Sequence, residues 1–143
     1  MNRSLIILAA GAAGVILGAA GLISYVRSCP VYSEIILKDD ADKRSFLRQW
    51  GINVKNEPPE KLEITLPAGG DSMIFGEYCR LQSSQHLPLS EHFGENADVW
   101  TFAADSSPAA RIQLICTKDG LLIGAMRYDC TGFDRIYSVI TSE

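Results

Sequence analysis

Residues 5–26, LIILAAGAAGVILGAAGLISYV, run for 22 positions without a charge. At about 1.5 Å per residue a helix of that length covers roughly 33 Å, enough to cross a hydrocarbon core of about 30 Å. Arg3 precedes the run and Arg27 follows it. A cleaved signal peptide would use residues 5–17 as its apolar region and Gly18-Ala19-Ala20 as its cleavage site. The apolar character continues through Leu22, Ile23 and Val26, which favours an uncleaved anchor. A lipoprotein signal would need small residues before Cys29, where Arg27 stands instead. The organisation expected is a membrane anchor over residues 1–27, a tether over 28–38 and an extracytoplasmic α+β domain over 39–143.

The anchor leaves residues 28–143 to fold in water, enough for one modest core. Arg3 and the amino terminus balance Arg27, so flanking charge says little about orientation. A very short amino tail before a long domain favours export of that domain, giving a single-pass protein of the cell membrane. Setting aside Arg3 and Arg27, the domain carries 11 Lys/Arg against 17 Asp/Glu, a net charge of −6. Such a surface argues against nucleic acid and against docking on anionic lipid headgroups. Within the anchor, Ala10, Gly14 and Gly18 fall at i, i+4 and i+8. The Gly14-x-x-x-Gly18 spacing lets membrane helices approach closely and offers a face for self-association, although Ala and Gly supply ten of the 22 residues.

Beyond the tether, DDADKRSFLRQWG predicts a helix capped by Asp39 or Asp40, with Phe46, Leu47 and Trp50 on its apolar face and Gly51 just past its end. EPPEKLEITLP predicts a strand in which Leu62, Ile64 and Leu66 alternate with Glu63 and Thr65. A second helix is expected from Asp71 or Ser72 to about Gln85, burying Ile74, Tyr78, Leu81 and Gln85 with Phe75 and Cys79 beside them. DVWTFAA, RIQLICT and LLIGAMRY read as three further strands, the last two joined at Asp119-Gly120 by a two-residue turn. That turn sets Cys116 opposite Ile123 and Leu114 opposite Ala125. One hairpin face is then apolar (Ile112, Leu114, Cys116, Leu121, Ile123 and Ala125), and the other mixes Arg111, Gln113, Thr117 and Tyr128. The fold class expected is α+β: an N-terminal transmembrane helix, then an antiparallel sheet of about four strands with two helices on one face.

EYCRLQSSQHLPLSEHFGE, residues 77–95, is the stretch with the most candidate chemistry: a cysteine and both histidines of the chain. His86 and His92 are six apart with Pro88 between them, so they cannot share a helical face as metal ligands. Cys79 and His86 on one helix would be about 10 Å apart, whereas a nucleophile and its base need roughly 3 Å. The stretch reads as a helix exit, with His86 near the helix's negative end and Pro88 enforcing the stop. No catalytic, cofactor-binding or metal-ligating residue is assigned. A Cys116–Cys130 disulfide is disfavoured by the hairpin register. Cys79 pairing with Cys116 or Cys130 stays open, and free thiols are preferred.

KRSFLRQWGINVKNEPPEKLEITLP, followed by EYCRLQSSQHLPLSEHFGE, VWTFAA, LLIGAM and TGFDRIYSV, resembles a family of small membrane-anchored bacterial proteins known as domain of unknown function 4830. The resemblance covers about residues 43–139. Tyr78, Leu81, Gln82, Gln85, Leu89, Gly94, Ile123, Gly124, Gly132 and Phe133 match the family's pattern. Cys79 stands where that pattern has Asn, His86 where it has Gly, and Ala125-Met126 where it has Gly-Asp. The resemblance implies an anchored domain outside the cytoplasm and brings no activity with it. The function expected is a non-catalytic binding or interaction module of the bacterial envelope, partnered by an unknown envelope protein or ligand. The alternative is a small envelope hydrolase using Cys79 or His92 in the loop after the second helix.

Overall fold

The computed structural model describes residues 34–68, 73–131 and 135–141. The expected anchor with Gly14 and Gly18, Cys29, most of the tether, the Asp71 or Ser72 helix start, and Gly132 and Phe133 lie outside them. Among the described residues no helix is long and apolar enough to cross a membrane.

Five strands pair antiparallel in chain order: β1 (Glu60–Thr65), β2 (Asn96–Ala103), β3 (Ala110–Cys116), β4 (Leu122–Asp129) and β5 (Ile136–Tyr137). The fifth, two residues long, exceeds the four expected because so short a run carries no readable alternation. β1 keeps the expected parity, but as an edge strand it leaves Leu62 59% exposed, while Leu66 just beyond it is buried.

Among the described residues two α-helices accompany the sheet, α1 (Asp40–Gln49) and α2 (Met73–Ser84). Asp39 caps α1. Its carboxylate accepts the Asp42 N–H at 2.8 Å, and the Asp42 carboxylate accepts the Asp39 N–H at 3.4 Å, which satisfies two otherwise orphaned donors. Both helices end in the same motif. Gly51 N–H donates to Arg48 C=O at 3.0 Å and Ile52 N–H to Leu47 C=O at 2.9 Å. Likewise His86 N–H donates to Ser83 C=O at 3.0 Å and Leu87 N–H to Gln82 C=O at 3.0 Å. The motif needs a left-handed residue, and Gly51 (φ 72°) suits it; His86 holds the same place at φ 57° with a Cβ that disfavours it. His86→Gly is therefore expected to stabilise the domain by about 0.5–1 kcal/mol, read as a higher urea midpoint at unchanged slope.

The hairpin departs from the expected register. Thr117 N–H donates to Leu121 C=O at 2.9 Å and Gly120 N–H to Thr117 C=O at 3.0 Å, so the loop holds three residues with Gly120 at φ 87°. A bulge between Ile115 and Cys116 sets Cys116 opposite Leu122 rather than Ile123, while Leu114 stays opposite Ala125. The loop is pinned from outside the hairpin: Leu37 N–H donates to Gly120 C=O at 2.7 Å and Leu122 N–H to Ile35 C=O at 2.8 Å. A Cβ on Gly120 would stand 3.1 Å from the Leu37 carbonyl oxygen, so the close approach requires glycine.

That one-residue slip exchanges faces, as the two-residue period of a strand demands. Leu122 joins Cys116, Leu114, Ile112 and Phe102 against Phe46 and Leu47 of α1. Ile123 joins Ile115, Val99 and Ala97 against Tyr78 and Cys79 of α2. The two strand sets alternate along β2 and β3, so the helices cover opposite faces of the sheet and not the single face expected. The mixed face anticipated from Arg111, Gln113 and Thr117 is apolar where Ile115 and Ile123 lie.

The deepest residues described at the end of α2 are two amides, Gln82 in its last turn and Gln85 just past it, at 1% and 2% exposure. β5 pairs with β4 only at Arg127 and Tyr128. At Ala125 the glutamines take over that edge: Gln82 Oε1 accepts the Ala125 N–H at 2.7 Å and Gln85 Nε2 donates to the Ala125 carbonyl at 2.8 Å. Gln85 Oε1 also accepts the Val139 and Ile140 N–H groups, at 2.7 and 2.9 Å. Two side chains thus do what a neighbouring strand would otherwise do for buried backbone groups.

Candidate functional site

The histidine-rich stretch comes apart in three dimensions. Cys79 lies half-buried on α2, His86 is exposed at the left-handed turn, and His92 sits in a short 3₁₀ turn (Leu89–His92) with Nδ1 2.7 Å from Glu95 Oε2. Burial pushes the Cys79 thiol above its usual range, the opposite of what a nucleophile needs. Among the described residues Cys79, Cys116 and Cys130 are free thiols. Burial also pushes Cys116 up, to about 11, against an opposing pull from the Lys43 ammonium.

A different set of residues converges on the sheet face that carries α1. The chain has five lysines, and four of them, Lys38, Lys43, Lys61 and Lys118, line one groove of about 400 Å³ with Asp98, Trp100 and Cys116. They arrive from four places: the segment before α1, α1 itself, β1 and the hairpin loop. Strand pairing sets the pattern, because Lys61 lies directly opposite Trp100, and Glu63 directly opposite Asp98. Lys43 is one turn before Phe46 and Leu47, so the same helix face that buries those two carries the lysine inward.

Lys43 is 1% exposed. Its Nζ donates to the Leu37 and Asp39 carbonyls at 3.1 and 3.2 Å and stands 4.2 Å from the centroid of the Trp100 ring. The carbonyls and the ring face satisfy the donors and attract the charge, but among the described residues no carboxylate neutralises it. Burying an unneutralised ammonium costs several kcal/mol, and packing alone gives no reason for a lysine here. Lys61 Nζ is 5.1 Å from the same ring and 3.4 Å from Asp98 Oδ2. Lys118 Nζ bridges Asp98 Oδ1 and Glu63 Oε2, each at 2.7 Å.

Around Asp98, burial alone would raise the carboxyl, but hydrogen bonds and charge from Lys118 and Lys61 outweigh it and hold the group below the usual carboxylate range. A carboxyl lowered on folding contributes stability that is present above its unfolded pKa and lost as pH falls through its folded one, here below the usual carboxylate range. Lys118→Met removes two of the lowering contributions. It is expected to move the Asp98 carboxyl titration upward by NMR, and so to lower stability at neutral pH while shrinking the further loss on acidification.

The lining therefore holds four lysines against Asp98 and Asp119 in a domain whose whole charge is negative. Among the described residues no group of three or more His, Cys, Asp or Glu gathers as a metal site would require. Comparison of the chain with models of protein families, with curated proteins and with solved structures returns no match.

The sequence reading missed this groove. Its lysines span residues 38–118, and only the β1–β2 register and the hairpin loop bring them together. One local signal existed: Lys43 falls on the apolar stripe of α1, three and four residues before Phe46 and Leu47.

Proposed function

We propose that the domain is a non-catalytic binding module whose groove at Lys43, Lys61 and Lys118 takes a small anionic group. The observation that carries the proposal is the gathering of four of the five lysines on one lining, including a buried ammonium with no carboxylate partner among the described residues. A positive lining in an acidic domain attracts a compact anion while the surrounding surface repels a long polyanion such as nucleic acid. The thiols give no support to a hydrolase, since burial raises both Cys79 and Cys116.

With the uncharged run at residues 5–26 as its anchor, the module stands on the outer face of a bacterial cell membrane, as the resemblance to domain of unknown function 4830 also implies. Protease treatment of intact cells tests that placement: cleavage of the domain before lysis is expected, and protection until lysis would overturn it. Calorimetric titration of the full chain in detergent with inorganic phosphate and with acetate tests the binding itself. Saturable one-to-one binding is expected, weakening as salt rises. An absence of binding by the folded protein would sink the proposal.

A further inference from the structure

Trp100 is shared between two separate hollows. The same indole lines a second hollow, of about 490 Å³, with Asp40, Arg44, Asn56, Glu57, Pro58 and Pro59. Both lie between α1 and the β1–β2 side of the sheet. Lys43 over Trp100 and Arg44 over Phe102 (5.4 Å from Cζ to ring centroid) stand on consecutive helical positions above alternate residues of β2. Pro59 and Lys61 are two residues apart on the opposite wall. Each hollow falls within the roughly 300–1,000 Å³ of small-molecule sites.

The two ends differ in chemistry. At the first, Lys61 and Lys118 converge on Asp98 at 3.4 and 2.7 Å, and Lys43 and Lys61 both stand over the Trp100 ring. At the second, the single cation is already engaged: Arg44 Nε holds Asp40 Oδ2 at 2.7 Å and Nη1 the Lys55 carbonyl at 2.8 Å, and Nη2 donates to the Glu57 carbonyl. With the guanidinium used internally, two proline rings and the indole form the apolar part of a lining that also includes Asp40, Asn56 and Glu57. Proline rings and an indole wall favour a compact apolar or planar body, which gains by leaving water and loses no hydrogen bond in doing so.

From this juxtaposition we infer that the ligand is an amphiphilic anion: a carboxylate or phosphate head held among the lysines, joined to a compact apolar body that passes Trp100 towards Pro58 and Pro59. The inference rests on the binding function proposed above and adds the second half of the ligand. Charge complementarity selects the head, and the wall shared through Trp100 fixes where the body goes.

The test uses the full chain in detergent and five probes: phosphate, acetate, phenyl phosphate, phenylacetate and benzyl alcohol. Phenyl phosphate is expected to bind at least ten-fold tighter than phosphate, and phenylacetate at least ten-fold tighter than acetate. The comparison of the two pairs tells which head the lysines prefer. Benzyl alcohol, lacking the head, is expected to bind more weakly than either phenyl anion. Pro58→Ser with Pro59→Ser, shown folded by its melting curve, should shrink the phenyl advantage and leave phosphate and acetate affinities unchanged. Equal affinity for phenyl and simple anions would overturn the inference while leaving the anion site standing. Benzyl alcohol binding as tightly as the phenyl anions would overturn it too, because the head would then contribute nothing. If no anion binds, the function beneath it falls as well.

Discussion

Gln85→Ala is expected to destabilise the domain by about 3 kcal/mol, since each buried partner left without a hydrogen bond costs roughly 1–3 kcal/mol. The groups orphaned are the Ala125 carbonyl and the Val139 and Ile140 N–H groups, all within 2.9 Å of the amide. For a domain of this size that corresponds to a melting temperature lower by roughly 10 °C. Gln85→Glu separates hydrogen bonding from packing, because it keeps the shape and changes the charge. A buried glutamate there has its pKa raised by desolvation, so its destabilising charge is present at neutral pH and relieved as pH falls. Gln85→Glu should therefore melt low at pH 7 and recover towards pH 5, whereas Gln85→Ala should not recover. Calorimetric melting of both variants at the two pH values decides the matter, and an alanine variant within about 1 kcal/mol of the parent would mean that the clasp contributes little.

The second large effect falls on binding and not on stability. Lys43→Met replaces a buried ammonium by an apolar side chain of similar length. It orphans the Leu37 carbonyl but removes the desolvation penalty of the charge, so the two changes offset and stability should move by no more than about 1 kcal/mol. Affinity for phosphate should fall at least ten-fold, equivalent to about 1.4 kcal/mol. Lys55→Met is the control, because Lys55 is the one lysine outside the groove lining. A loss of affinity in both variants alike would point to the net charge of the molecule and not to the groove.

Local chemistry was the most legible part of this fold. Asp39 or Asp40 announced the start of α1, Gly51 its end, and alternating apolar residues the four longer strands. The errors share a physical origin, which is that pairings distant in sequence overrode local rules. The hairpin turn looked like a two-residue Asp-Gly type, but contacts from Ile35 and Leu37 hold a three-residue loop, and the slip carried Ile123 to the opposite face. Gln85 was read correctly as buried, yet its purpose depends on Ala125 and Val139, 40 and 54 residues away. The part Gln82 plays at Ala125 was hidden for the same reason, and β5 because two residues carry no readable alternation. The histidines and Cys79 drew the eye because such residues do chemistry when they meet, and here they are placed apart. Lysines carry no such signal singly, and these four acquire meaning only once the sheet register is known.

The lysine groove as an anion site is the central claim, and a chemical-shift titration of the full chain with inorganic phosphate tests it most directly. Shifts are expected to concentrate on the Trp100 indole N–H and on the backbone amides of Lys38, Thr117, Lys118 and Gly120, to saturate with one dissociation constant on the order of 1 mM or tighter, and to vanish in Lys43→Met. Shifts scattered over the surface, or centred on His86 and His92, would contradict it.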